Sequence, residues 1–304
     1  MGVFEIGAAL ELFRSCAIAA AYDLGVVAAL ATPRTIEELA EAIGIERGTH
    51  RVRALVGALV HEGILVATGD RIALGEMPVR PDVVREGWGR LAEVIRTNQP
   101  LPLELDPRGY HAHLVRAGGD TARELAPLLG GGRLLDLGGG AGTYTAAVLD
   151  AHAAATATLV DAPAIIPLAH EHLARFGERV QLVAGDARTA ALGDGHTTVL
   201  LANLLHLHGE AACAELCAAA ARAVAPGGRV AILDLDAGTP EGVWFALNMA
   251  LYTDGGGVYP TGQVRGWMTA AGVADLVEHR LRAAPAVVVI VGTRLDVLWP
   301  RHEQ

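Results

Sequence analysis

The stretch that most constrains this chain is residues 133–142, RLLDLGGGAG. An apolar run carrying one acid, Leu134-Leu135-Asp136-Leu137, stops against Gly138, Gly139, Gly140 and Gly142, and the pattern then turns helical over residues 144–149. That order predicts a buried strand, a tight turn and a helix N-terminus, the junction at which an open parallel sheet holds a nucleotide-like ligand. Glycine lacks a Cβ and adopts positive φ, so a ligand can lie directly against the backbone there. The same turn can equally be a plain strand-to-helix connection.

The spacing narrows the choice of ligand. A dinucleotide fingerprint requires G-x-G-x-x-G, but Thr143 stands where the third glycine belongs, and the pattern present is G-x-G-x-G at Gly138, Gly140 and Gly142. All 24 basic residues are arginine. With no lysine, the chain has neither a P-loop nor a Schiff-base partner for pyridoxal phosphate.

Composition sets further bounds. A length of 304 residues predicts about two domains, and 52% hydrophobic against 4% aromatic residues predicts a core of Ala, Leu and Val. A net charge of -10 argues against a nucleic-acid partner. Cys16, Cys213 and Cys217 make neither a disulfide framework nor a metal-ligand pattern, which fits buried free thiols in a reducing cytoplasm. Glu5 and Glu11 replace the basic start of a secretory leader, and no apolar run reaches the roughly 18 residues that would span a bilayer. The expectation is a cytoplasmic protein away from the membrane.

The first hundred residues read as a mostly helical domain. Apolar residues recur at helical steps over 4–30, with a break at Tyr22-Asp23-Leu24-Gly25. Thr35 with Glu38 forms a capping box for a helix over 36–43, stopped by Gly44; another helix covers 51–62 and stops at Gly63. Residues 64–66 and 71–74 flank a Gly69-Asp70 turn and predict a small hairpin. Three helices and a two-stranded wing make a winged helix, which serves either DNA binding or dimerisation. Thr49, His50, Arg51 and Arg53 lend the candidate recognition helix some basic character, but Leu55, Val56, Leu59 and Val60 occupy much of it. We therefore expect residues 1–100 to form a dimerisation domain, 101–129 a helical connector and 130–304 the ligand-binding domain. Trp88, Tyr110, His111 and His113 are wall candidates for a pocket under that connector, or polar groups of a linking helix.

Beyond the glycine turn, strands and helices alternate. Apolar runs over 156–160, 180–183, 197–201 and 230–233 end at Asp161, Gly185-Asp186, Ala202-Asn203 and Asp234, and a helix over 210–224 closes at Pro226-Gly227-Gly228. Asp136, Asp161, Asp186 and Asn203 thus gather at the carboxyl edge of one sheet, where such sheets bind ligands. Asp161, nineteen residues after Gly142, is placed to accept hydrogen bonds from a ribose diol. Asp186 can take an adenine amine while Ala187 lies on the ring. Each aspartate alone can equally cap a helix or a loop. Trp244, Asn248 and Tyr252 share one helix face, as substrate contacts or as a core stripe. A helix over 261–271 and strands over 275–281 and 286–291 complete seven strands.

LLDLGGGAGTY, TLVDAP, VAGDA, ANLLHLHGE and APGGRVAILD together resemble the S-adenosylmethionine-dependent methyltransferases, and more closely the dimeric O-methyltransferases of plant phenolic and bacterial secondary metabolism. The resemblance covers nearly the whole chain. It implies a Rossmann-like seven-stranded α/β domain behind a winged-helix dimerisation domain, a homodimer, and a small-molecule acceptor methylated on a phenolic or enolic oxygen. It also implies that Gly138, Gly140 and Gly142 hold the methionine part of the donor, with Asp161 at the ribose and Asp186 at the adenine. His206 matches the family's catalytic histidine, and an imidazole of pKa near 6.5 suits a phenol of pKa near 10.

The sequence departs from the family's LHDW-type string, with Leu207 and His208 in place of Asp and Trp. Asp234 aligns with a glutamate that orients the histidine, and a second family glutamate falls near Tyr259. Trp244 and Asn248 lie on the helix that walls the family's acceptor pocket. The departures leave open C- or N-methylation, with or without a metal held by His206 and His208 or by either with His111 or His113, and a protein that keeps the donor pocket without transferring a methyl group.

Overall fold

The computed structural model describes residues 6–78, 80, 87–102 and 107–295. Phe4 and Glu5, at the start of the first expected helix, residues 103–106 of the expected connector and residues 296–304 of the expected second domain lie outside that set. In chain order the elements are α1 (Ile6–Leu24), α2 (Val26–Ala29), α3 (Ile36–Ala42), α4 (Thr49–His61), β1 (Leu65–Thr68), β2 (Arg71–Leu74), α5 (Leu91–Thr97), α6 (Pro107–Leu129) and β3 (Arg133–Leu137). They continue with α7 (Thr143–Ala151), β4 (Thr156–Asp161), α8 (Ile166–Leu173), β5 (Val180–Ala184), β6 (His196–Ala202), α9 (Glu210–Ala223), β7 (Val224–Leu235), α10 (Pro240–Tyr252), α11 (Thr261–Ala270), β8 (Val273–Leu281) and β9 (Ala284–Arg294).

Two compact units form. The first comprises residues 1–104, 206–209 and 237–258; the second comprises 105–205, 210–236 and 259–304. Packing rather than chain order sets this division: α6 belongs with the sheet, and α10 with the N-terminal helices.

In the helical unit, α1, α4 and α10 pack together, with Phe13, Leu55, Leu59, Trp244 and Leu247 buried. Thr35 Oγ1 accepts the Glu38 amide at 3.1 Å while the Glu38 carboxylate accepts the Thr35 amide at 3.0 Å, the reciprocal capping box read from the sequence. β1 and β2 pair antiparallel, and Arg34 bridges to Ile72 beside them. Arg51, counted above among the basic residues of a recognition helix, points inward and is fully buried.

The sheet unit holds seven strands in the order β5-β4-β3-β6-β7-β9-β8. All pairings are parallel except those of β9, which runs antiparallel to both β7 and β8, so the sheet is mixed. Helices cover both faces, which is why β3 reads as a continuous apolar run. Leu134, Leu135 and Leu137 are buried, each worth about 1.5–3 kcal/mol relative to exposure.

One boundary differs from expectation. The helix α9 ends at Ala223, and Pro226-Gly227-Gly228 lies inside the span of β7 as a bulge rather than as the helix closure. The pairing moves from His196↔Val224 to Thr198↔Arg229, so β7 advances five residues while β6 advances two. Gly228 allows this: a Cβ there would stand 2.7 Å from Val224 Cγ2. Local turn chemistry marked the irregularity, but only the pairing of Val224 with β6 shows that the strand has already begun.

Candidate active site

In the sheet unit, the turn after β3 is stitched to its neighbours. The amides of Gly138 and Gly139 donate to Val160 O at 2.8 and 3.4 Å, and Gly142 N donates to Gly139 O at 2.9 Å. Gly138, Gly140 and Gly142 all take positive φ, at 68°, 57° and 85°. A Cβ would stand 2.7 Å from Leu204 at Gly138 and 2.5 Å from Leu173 at Gly142. Gly139, outside the G-x-G-x-G spacing, is as tightly confined, since its Cβ would meet Leu159 at 2.7 Å. The unbroken glycine run was the signal for it.

Asp136 is fully buried one residue before the end of β3. Its Oδ2 accepts the Thr145 hydroxyl at 2.7 Å, while its Oδ1 has no hydrogen-bond partner among the described residues. Burial pushes its pKa up to about 6, and the nearby Asp161 charge adds to the shift. Thr145 went unnoticed in the sequence; it sits in the first turn of α7, where no pattern separates a hydroxyl facing a carboxylate from an ordinary helical threonine.

Asp161, at the end of β4, closes over the turn. Its Oδ2 accepts the Gly140 amide and its Oδ1 the Ala162 amide, both at 2.7 Å. The His111 ring, carried by α6, lies over the same glycine: a Cβ at Gly140 would stand 3.3 Å from its Nδ1 and Cε1. Burial holds the His111 pKa below the usual range, opposed by Asp161. Tyr110 meets the His111 ring edge-on at 5.6 Å. Asn203 takes positive φ, donates from its amide to Leu233 O at 2.8 Å and from Nδ2 to the Tyr144 hydroxyl at 3.2 Å. Burial pushes the Tyr144 phenol up to about 12. Tyr144 is a second group that sequence reading passed over.

Other candidates in this unit have different surroundings. Asp186 is exposed, caps its own turn by accepting the Arg188 amide at 2.8 Å, and pairs with the Arg188 guanidinium at 2.6 Å. Ala187 packs partly buried against the core. Asp234, near the end of β7, is buried and accepts the Leu235 amide at 2.8 Å. Tyr259 meets Trp267 edge-on at 5.0 Å and bonds to Cys213; burial pushes its phenol up.

In the helical unit, His206 lies in a short 3-10 turn, Leu205–Leu207, and is only 5% exposed. The Phe245 ring of α10 meets its imidazole edge-on at 4.9 Å and 90°. Its carbonyl accepts the Gly257 amide at 3.0 Å. Phe245 was missed because it lies beside the 244, 248, 252 stripe and not on it. Trp244 is buried 6.4 Å from Phe13, which in turn stacks on Trp88 at 4.1 Å. Asn248 is buried, and its Oδ1 has no partner among the described residues. Burial raises the pKa of Tyr252, whose hydroxyl lies beside Gly87.

The structure thus brings Asp136, the glycines, Asp161 and His111 around one turn, and His206 and Phe245 together in the other unit. Among the described residues, no group of three or more His, Cys, Asp or Glu is arranged to hold a metal ion. No described helix is long and apolar enough to cross a membrane.

A family of O-methyltransferase domains matches residues 115–271. Over 229 residues the chain is 29% identical to the 3-hydroxy-5-methyl-1-naphthoate 3-O-methyltransferase of Streptomyces sahachiroi. That match covers 68% of this chain and 66% of the relative, just under two thirds of the relative's length. Among solved structures, an O-methyltransferase family 2 protein from Planctomyces limnophilus DSM 3776, in complex with apigenin, has the same fold. Its TM-score is 0.76 at 23% identity, covering 94% of this chain and 93% of that one. The N,N-8-amino-8-demethyl-D-riboflavin dimethyltransferase of Streptomyces davawensis has a TM-score of 0.57 at 26% identity, covering 93% and 96%.

Proposed function

Since this chain belongs to the O-methyltransferase domain family, we propose that it transfers the methyl group of S-adenosylmethionine to a phenolic or enolic oxygen of a small secondary metabolite. The observation that carries the reading is the turn at 138–142, with three positive-φ glycines between the carboxylates of Asp136 and Asp161. The residues there suit the donor. Asp136 offers a buried oxygen without a partner among the described residues, a fitting acceptor for the ammonium of the methionine part. The glycines leave their backbone open to close approach, and Asp161 supplies a carboxylate at the strand tip for the ribose. Asp186, Ala187 and Asn203 are assigned to the adenosyl group.

Bound there, the donor supplies a methyl group on a sulfonium, already activated toward in-line displacement. The chain's own residues have two tasks. Alignment of the acceptor can contribute about 7–11 kcal/mol, and removal of its proton by a positioned base about 10²–10⁴ in rate. We assign the second task to His206, whose ring is held against Phe245, and an orienting role to Asp234. Tyr110, His111, Trp244, Asn248, Tyr252 and Tyr259 are the proposed acceptor-side residues. Cys16, Cys213 and Cys217 are buried thiols outside any disulfide, which suits the reducing cytoplasm in which we place the protein. A homodimer formed through the N-terminal unit is part of the reading, and light scattering after gel filtration measures it.

The test has two stages. Calorimetry with S-adenosylmethionine and S-adenosylhomocysteine measures donor binding, and a chain that ignores both sinks the proposal. Mass analysis of 3-hydroxy-2-naphthoate incubated with enzyme and donor then reads transfer, and product NMR locates the new methyl group. Methyl found on carbon, or transfer only to an aryl amine, replaces the oxygen reading. The amine reading has specific support in the dimethyltransferase of Streptomyces davawensis, whose name places an amino group on its substrate.

A further inference from the structure

Arg51 is 0% exposed in the helical unit, an unusual state for an arginine. Its Nε donates to Asn98 Oδ1 at 2.8 Å, and its Nη2 donates to the Thr253 carbonyl at 3.1 Å. Taking a guanidinium out of water costs several kcal/mol, and apolar residues of similar volume often fill such a place with equal or better stability. The charge is therefore a poor choice if packing alone were needed. Its geometry is well prepared: Asn98 takes φ of 55°, and Gly48 makes room for it, since a Cβ at Gly48 would stand 2.4 Å from Asn98 Oδ1.

What Arg51 holds is the strap that follows α10. Thr253 Oγ1 donates to Met249 O at 2.7 Å and accepts the Gly256 amide at 2.8 Å. The next amide, Gly257, donates to the carbonyl of His206 at 3.0 Å. The strap lies flat on the histidine's backbone, because a Cβ on Gly256 would stand 2.3 Å from His206 O. This gives the glycine run at 255–257 a reason that its sequence alone did not disclose. On its other side the His206 ring is bounded by Phe245.

We propose that Arg51 is a positioning residue: through Thr253 and the glycine strap it fixes the backbone of His206, and with it the direction of the imidazole. The inference rests on the reading of His206 as the base, and it deepens that reading by tying the base to α4 and α5. Arg51 itself touches no reacting atom. Misplacing a catalytic group by about 1 Å can cost roughly a hundredfold in rate, so a strap of this kind is worth a buried charge.

The sharpest variant is Thr253→Val, which keeps the shape and removes the hydroxyl, with Thr253→Ser as the rescue. The readouts are the His206 ring resonances in a carbon-proton NMR spectrum, assigned with His206→Gln, and the exchange rate of the Gly257 amide. Both are independent of any acceptor, so failure of the functional reading on a chosen acceptor leaves this test intact. Thr253→Val should shift or double the His206 resonances and speed Gly257 exchange, and Thr253→Ser should restore both. Arg51→Met should act in the same direction, while Arg53→Met, on the exposed side of α4, should not. With 3-hydroxy-2-naphthoate as probe acceptor, Thr253→Val should lower kcat about tenfold or more without changing the KM for the donor. Unchanged His206 resonances and Gly257 exchange in folded Arg51→Met would overturn the inference, whatever Thr253→Val does. If Thr253→Val does not fold, Arg51→Met alone carries the same readouts.

Discussion

The two units hold their proposed functional groups in contrasting ways. In the sheet unit, Asp136, the glycine turn, Asp161 and Asn203 come from the ends of β3, β4 and β6 within residues 136–203, and backbone hydrogen bonds hold the turn, Asp161 and Asn203. In the helical unit, His206 is fixed by Phe245, by Gly257 and, through the strap, by Arg51 and Asn98, groups spread across residues 51–257. A strand end followed by a glycine turn is set by neighbouring residues, whereas a histidine held by a strap depends on packing between distant segments. The first arrangement is written locally; the second depends on residues far apart in the chain.

The contrast is sharpened most by His206→Ala. We expect kcat to fall about 10²–10⁴-fold, which is roughly 3–5 kcal/mol in the barrier, with donor affinity unchanged. Raising the pH should restore rate as hydroxide takes over removal of the phenol proton. Near-normal turnover with donor bound would show that the helical unit supplies no base. The complementary change is Gly142→Ala in the sheet unit. Left-handed backbone and a Cβ 2.5 Å from Leu173 both penalise it, together by about 4 kcal/mol, and donor binding should be lost. Gly25→Ala, also left-handed with φ of 81° and ψ of 13° but with open space around the added carbon, should cost only the backbone part, about 1–2 kcal/mol. Denaturant melts of the two variants measure the difference.

These expectations also mark how far the sequence could be read. Strand runs ending in acids, the Thr35–Glu38 box and the glycine spacing are period and cap signals, and the elements formed where they predicted. Gly139 and Tyr144 lay inside recognised motifs and were passed over because the spacing rule gives them no role. Phe245, Arg51 and the strap were beyond reach for a different reason. No local pattern says that an arginine in a helix near the N-terminus turns inward to hold a carbonyl two hundred residues later. The bulge in β7 belongs to the same class, since only pairing with β6 defines it.

A smaller effect, confined to the sheet unit, follows from the burial of Asp136. Its pKa rises from an ordinary 3.8 to about 6 in the folded chain. The folded state thus holds the proton more tightly, and the resulting stability is fully present below about pH 4 and lost as pH rises through 6. Linkage puts the loss on the order of 3 kcal/mol. Asp136→Asn should remove this slope, so urea midpoints of wild type and variant should converge or cross between pH 4 and neutrality. A parallel pair of pH profiles would mean that the carboxyl is solvated or paired in solution. A cation at its unpartnered oxygen opposes the same loss, so S-adenosylhomocysteine should stabilise wild type more at pH 7.5 than at pH 5.

The smallest effect separates a strand-end acid that serves the donor from one that only finishes a turn. Asp161 bonds two amides at the glycine turn, whereas Asp186 is exposed and already paired with Arg188, and an exposed pair of this kind contributes about 0–1 kcal/mol. Asp186→Ala should therefore change stability by roughly 0.5 kcal/mol or less. If its carboxylate also accepts the adenine amine, the Kd for S-adenosylhomocysteine should rise about tenfold, the worth of one charge-assisted hydrogen bond of about 1.5 kcal/mol. Arg188→Ala is the control: it frees the carboxylate from its ion pair and should leave affinity equal or improved. Loss of affinity in Asp186→Ala but not in Arg188→Ala assigns the acid to the donor. An unchanged Kd in both reduces Asp186 to the cap of its own turn, and leaves donor recognition to the segment between Asp136 and Asp161.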